Sequence, residues 1–228
     1  VPYAYCVNAD LSGLDLTGMD LTGIDLRGAN LQNTTFDYAT LDHADLRGIV
    51  AFNATFFWSG MNNTYLQNAE FNRFSSLKCD DPLTVGVEYW CGAANLSYAY
   101  LAYADLTGAD LRSVDLTGAG IFGGDLTRTD CFQAKFNDVN LRSSNLANSG
   151  LGYANLSGAD LRNAYLSGAS LHDSDFTNAD FRNAYLSGAS LHDSDFRNAD
   201  FRNAILAFVD LTNADLTNAN FEDTTVTN

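Results

Sequence analysis

Large hydrophobic residues recur every five positions along most of the chain. Stepping by five from Leu11 to Phe71, and again from Leu96 to Val226, gives 40 positions, of which 26 are Leu and 9 are Phe. Ala51, Met61, Ile121, Cys131 and Val226 fill the rest. Two residues before each of these sites the side chain is small in 36 of 40 cases, the exceptions being Leu14, Met19, Ile24 and Ile49. The residue just before the large one is most often Asp or Asn, and the two after it are mostly polar or Gly, as in Ala159-Asp160-Leu161-Arg162-Asn163. A period of five matches neither the 3.6-residue repeat of a helix nor the two-residue alternation of a long strand. The chain must therefore turn once per quintet. Each quintet then makes one short extended side, with its large residue aimed at a common axis and Gly or Asn at the corner.

A near-duplicate within the sequence sets the number of sides. Residues 161–180 and 181–200 agree at 18 of 20 positions, and a duplication that preserves the fold spans whole turns, so 20 residues predict four sides per coil. One such coil buries too little apolar surface to offset the entropy of ordering its backbone, so stability has to come from stacking one coil on the next.

The 40 in-phase copies of this motif resemble the pentapeptide-repeat family, whose consensus is A(D/N)LXX, over about nine tenths of the chain. The resemblance implies an all-β fold, a right-handed quadrilateral β-helix. With four sides per coil this is a single solenoid over residues 1–228 of about 10 coils, roughly 50 Å long at the ~4.8 Å spacing of neighbouring strands.

The motif lapses over residues 74–93, which contain Asp81-Pro82 and no Leu or Phe in the expected phase. The expectation is an inserted loop, with Leu96 following Phe71 as the next side of the same rod. Counting four sides per coil across it puts Tyr38, Trp58 and Tyr98 in one outward column, with Phe52 and Phe57 nearby, while the loop carries Tyr89 and Trp90. An exposed aromatic strip on an acidic rod calls for a cover, which is either the loop folded back or a protein partner. These seven aromatic residues form the candidate interaction surface.

Cys79 and Cys91 close a 13-residue segment within the loop and form the expected disulfide. A zinc site is the alternative for the pair, but no second CxxC and no nearby His accompanies it. Cys131 falls in the inward phase, where a thiol acts as a small apolar filler. Cys6 shares that phase, and the two lie too many coils apart to be bridged. A disulfide implies an oxidising compartment: thylakoid lumen, periplasm or extracellular space. The sequons at Asn33, Asn53, Asn62, Asn95 and Asn155 accord with secretion. Val1-Pro2-Tyr3 has neither an initiator Met nor the pattern of a signal peptide, consistent with a leader already removed. No apolar run is long enough to span a bilayer.

Charge narrows the function. The formal net charge is −16, from 25 Asp and 3 Glu against 10 Arg and 2 Lys, which disfavours binding of phosphates or nucleic acid. Seventeen of the Asp stand just before the inward residue, sixteen of them before Leu or Phe and Asp130 before Cys131. A short carboxylate there can bond turn amides and keep the rod soluble, or rows of them can imitate DNA phosphates. Columns 20 residues apart align Arg142, Arg162, Arg182 and Arg202 beside Asp160, Asp180 and Asp200, and bring His172 and Asp173 next to His192 and Asp193. Catalysis finds little support. The three His have no nucleophile at a recognisable spacing, no GxxxxGK[ST] loop is present, and the acids repeat from coil to coil, whereas an active site needs one environment unlike the rest.

The expectation is a non-enzymatic scaffold for a protein partner in an oxidising compartment, with no catalytic residue, cofactor or metal, and with end-to-end self-association open to it. A lumenal accessory role is one version. The alternative is a DNA mimic resembling the quinolone-resistance pentapeptide proteins that bind gyrase. Those dimerise through an apolar C-terminal segment, whereas this chain ends Asn220-Phe221-Glu222-Asp223 and onward without one.

Overall fold

A computed structural model describes residues 4–71 and 94–227. On either side of the insertion the ladder between successive coils has a spacing of 20 residues: Asp25 pairs in parallel with Asp45, Asp160 with Asp180, and Tyr185 with Ile205. Four quintets therefore complete one turn of the coil. The pairs are mostly single bridges. Two regular strands occur among the described residues, β1 (Ile205–Ala207) and β2 (Thr225–Thr227), in parallel register with Ile205 opposite Thr225. Across the insertion the spacing doubles to 40, with Thr55 opposite Asn95 and Glu70 opposite Asp110. The side at Leu96 thus continues directly from the side at Phe71, as the column count required. Residues 74–93 themselves, with Cys79, Cys91, Tyr89 and Trp90, lie outside the described residues.

A backbone hydrogen-bond account explains the quintet. Consider the side centred on Leu26. Its own amide donates to Asp45 O at 2.8 Å, the Gly28 amide to Arg47 O at 2.9 Å, the Ala29 amide closes a turn on Leu26 O at 2.9 Å, and the Asp25 amide donates to Ala4 O at 3.0 Å. Four of five amides are satisfied by backbone. The fifth, on Arg27, donates to the Asp25 carboxylate at 3.2 Å. The same bond recurs from Thr17 to Asp15, Ser97 to Asn95 and Thr107 to Asp105. Asp and Asn stand before the large residue because an amide two positions on has no main-chain acceptor. At two quintets without Asp or Asn in that position the preceding coil supplies the acceptor: the Phe57 amide donates to Asp37 and the Asn62 amide to Asp42.

Corner residues adopt φ between 54° and 72°, the left-handed region that Gly and Asn tolerate best. The large residues fill the shaft. Phe36 and Phe56 stack at 4.9 Å with planes 6° apart, and Phe181, Phe201 and Phe221 continue a second column at 4.7 and 4.9 Å. Where Ser or Thr takes the small position, its hydroxyl donates to a nearby main-chain carbonyl, as Ser144 does to Leu141 O and Ser194 to Leu171 O.

At the first described coil, Leu14 and Met19 occupy the small position but are 45% and 48% exposed, whereas Ile24 is buried. Among the described residues no quintet covers Leu14 and Met19 from above, so these larger side chains meet solvent.

Replacing Phe196, which packs against Phe176, Phe181 and Phe201, with Ala should destabilise the rod by about 3–5 kcal/mol. Urea denaturation measures this, and a loss below about 1 kcal/mol would contradict the stacked core. A pH series tests the fifth amide. Threonine hydroxyls and backbone amides hold the Asp15, Asp20, Asp210 and Asp215 carboxyls below their ordinary value. A depressed carboxyl pKa adds stability that is complete above the unfolded value, near pH ~4, and is lost as pH falls through the lower folded value. The urea midpoint should therefore hold from about pH 7 to 5 and drop below about pH 4; constancy down to about pH 2 is the contrary result.

Candidate functional site

The corner geometry that suits Gly and Asn is occupied at several positions by large aromatic residues. Tyr38, Trp58, Tyr98 and Tyr103 all have φ between 54° and 60°. An L-residue with a Cβ pays roughly 1–2 kcal/mol there. The same corner geometry recurs at 28 non-Gly residues among those described, most of them Asn, Asp or Ser, so the aromatic corners are set apart by their side chains and not by their backbone.

Tyr38, Trp58 and Tyr98 occupy successive corners of one column and remain 60%, 42% and 43% exposed. Phe57 joins them: it meets Tyr38 edge-on at 5.7 Å, Tyr98 at 5.9 Å and Trp58 at 6.4 Å. Trp58 and Tyr98 stack at 5.5 Å, 11° from parallel. Phe52 is half-buried on the preceding side. Tyr89 and Trp90 of the expected surface lie outside the described residues.

Sequence reasoning missed one extension of this patch. Tyr100 lies 5.9 Å from Trp58, and the signal for it was its ladder pairing with Gly60, two positions past the Trp58 corner. At the next corner, outside the patch, Tyr103 packs edge-on against Phe122 at 5.3 Å. Both corner tyrosines lean over a glycine of the next coil: a Cβ on Gly118 would fall 2.5 Å from the Tyr98 ring, and one on Gly123 2.7 Å from the Tyr103 ring. Those glycines are required by close approach as well as by their positive φ.

The polar columns form as the spacing predicts. Arg182 bridges Asp180 at 2.6 Å and reaches Asp200 at 3.7 Å, and Arg162 reaches Asp180 at 3.4 Å. Each carboxylate lies between two guanidinium groups, so this side is nearly charge-balanced. His172 and His192 stack at 5.2 Å, their Nδ1 atoms 2.9 and 2.7 Å from Asp173 and Asp193. The Asp193 carboxylate raises the His192 pKa above its ordinary value. Among the described residues no group of His, Cys, Asp and Glu is arranged to hold a metal ion. Cys131 is fully buried, and burial pushes its thiol up to about 12, so it is a filler of the shaft and not a nucleophile. No helix among the described residues is long and apolar enough to cross a membrane.

A four-sided parallel solenoid with this quintet signature defines a class, and comparison with known proteins places the chain within it. The family model for pentapeptide repeats matches in eight copies, over residues 4–48, 91–121, 125–163, 154–193 and 194–228. The chain belongs to the pentapeptide-repeat family. Among solved structures it is similar to a trypsin-treated variant of QnrB1, a plasmid-mediated fluoroquinolone resistance protein, at 21% identity and a TM-score of 0.58, covering 94% of this chain and 90% of that one. This likeness shows the fold, a quadrilateral β-helix. It is also similar to HetL, a pentapeptide repeat protein involved in heterocyst differentiation regulation from the cyanobacterium Nostoc sp. strain PCC 7120, at 26% identity over 98% of this chain and 88% of that chain, with a TM-score of 0.38. No curated protein matches the chain.

The corner strain at Trp58 separates shape from side chain. Trp58→Asn trades the indole stack for a residue at ease with φ 54° and should change unfolding free energy by no more than about 1 kcal/mol, whereas Trp58→Val should cost about 2 kcal/mol. Equal behaviour of the two variants in urea denaturation would remove the strain argument.

Proposed function

We propose that this protein is a non-enzymatic β-helical scaffold whose aromatic patch at Tyr38, Phe52, Phe57, Trp58 and Tyr98, extended by Tyr100, docks a protein partner. The observation that carries this reading is the retention of large aromatic residues at left-handed corners, where Gly or Asn would be cheaper, clustered on one column and still exposed. Aromatic residues of this kind dominate binding energy where they are found in interfaces. Repeats that contact only their neighbours provide a rigid, extended frame for such a surface.

The DNA-mimic reading draws on the net charge of −16 and on fold likeness to a resistance protein. Against it, the repeated Asp are engaged by turn amides and threonine hydroxyls, and those of the Arg162 to Arg202 column are neutralised. We place the scaffold in an oxidising compartment such as the thylakoid lumen, periplasm or extracellular space. That placement rests on Cys79 and Cys91 alone, read as a disulfide, and free thiols at both in native material would remove it.

One experiment separates the readings. The wild-type protein should retain a defined partner from its native source that the Trp58→Asn, Tyr98→Asn double variant, with unchanged melting, releases. Equal retention by both would sink the patch as the docking surface. Salt-sensitive inhibition of gyrase supercoiling, undiminished in the double variant, would favour the DNA mimic.

A further inference from the structure

A groove of about 460 Å³ opens on the corner between two sides of the coil, lined by Gly123, Gly124, Asp125, Ser143, Asn145, Ala147, Tyr165 and Ser167. It lies away from the Trp58 patch and has a different composition. Asp125, Asn145, Tyr165 and Tyr185 succeed one another in a single ladder column, each pairing with the next. Tyr165 and Tyr185 stack at 4.8 Å with planes 5° apart, and both are substantially exposed. The next residue in that column is Asn145, whose short side chain cannot continue the stack. One face of the Tyr165 ring is covered by Tyr185, and the other borders the groove.

Packing elsewhere keeps the groove open. A Cβ on Gly124 would meet Ile121 Cγ2 at 2.8 Å, and one on Gly123 would meet the Tyr103 ring. The walls are small or polar. The Asp125 Oδ1 atom accepts from the Thr127 amide and hydroxyl, and Asn145 Oδ1 accepts from the Ala147 amide at 3.1 Å. Among the described residues no partner engages Asp125 Oδ2 or Asn145 Nδ2, which leaves one acceptor and one donor beside an open aromatic face.

We propose that this groove binds a neutral pyranose, seated on the free face of Tyr165, with ring hydroxyls donating to Asp125 and accepting from Asn145. A tyrosine face carries partial negative charge and attracts the weakly positive C–H face of a sugar. The hydroxyls around that ring are both donors and acceptors, as the paired carboxylate and amide require. Nucleotides and acidic sugars are disfavoured by Asp125 and by the negative field of the rod. A hydrophobic side chain of a protein partner would find Gly, Ser, Asp and Asn around it, with Ala147 as the sole aliphatic wall. The volume falls within the ~300–1,000 Å³ of small-molecule sites.

The test uses the full chain labelled with ¹⁵N and titrated with the methyl glycosides of glucose, galactose, mannose and N-acetylglucosamine, with glucuronate and adenosine as separate arms. At least one neutral glycoside should shift the amides of Gly123, Gly124 and Ala147 and show saturation transfer from the protein. Tyr165→Ala and Asn145→Ala should each weaken that binding by about tenfold or more, while Tyr65→Ala, two rungs from Asp125 in the same column and not part of the groove lining, leaves it unchanged. Unchanged melting establishes that each variant is folded. Absence of shifts with all four glycosides, equal binding by Tyr165→Ala, or shifts with adenosine or glucuronate alone would overturn the proposal.

Discussion

Everything in this fold depends on one amide per quintet. In most quintets four of the five backbone N–H groups find main-chain acceptors through the coil-to-coil ladder and the corner turn, and the remaining one has none within the backbone. A buried or half-buried amide without a partner is costly, so the chain carries a short side-chain acceptor two residues earlier. This accounts for Asp and Asn before the large residue, and hence for the acidity of the whole molecule. The charge is first a consequence of main-chain hydrogen bonding and only afterwards a property that a partner could meet.

Much of this architecture was legible in the sequence because a solenoid writes its geometry in one dimension. The 20-residue duplication predicted the coil, and the coil predicted that Trp58 would stand over Tyr98 and Arg162 over Arg182. What escaped was of another kind. Tyr100 meets Trp58 across two coils, and the groove at Asp125 and Asn145 exists because small residues coincide on adjacent columns in successive coils. These features are sums over neighbours, and no single quintet announces them. Leu14 and Met19 are exposed for a related reason: the small position is buried only when a coil lies on either side of it.

The two surfaces divide the outside of the rod by composition. The Trp58 patch is built from aromatic residues held in a backbone conformation they disfavour, interlocked edge to face, and suits a broad partner that excludes water. The groove at Tyr165 is open, with small and polar residues around one aromatic face. Between and beyond them the acidic residues are occupied by turns, and on one side by guanidinium groups in alternation, which leaves few of them free to define a binding site. Function on such a scaffold is written in exceptions to the repeat.

The ladder also runs past the insertion without a step, with Thr55 opposite Asn95 as though the intervening residues did not exist. Length in this protein is consequently quantised. Adding or deleting twenty residues leaves every lateral neighbour relationship intact and moves the two termini apart or together by one rung. A change within the wall that is not a multiple of twenty puts everything downstream out of register, sending aromatic and charged columns to the wrong side. Lineages bearing such a chain can therefore adjust its reach by copying whole coils while the relative bearing of their surface features stays the same.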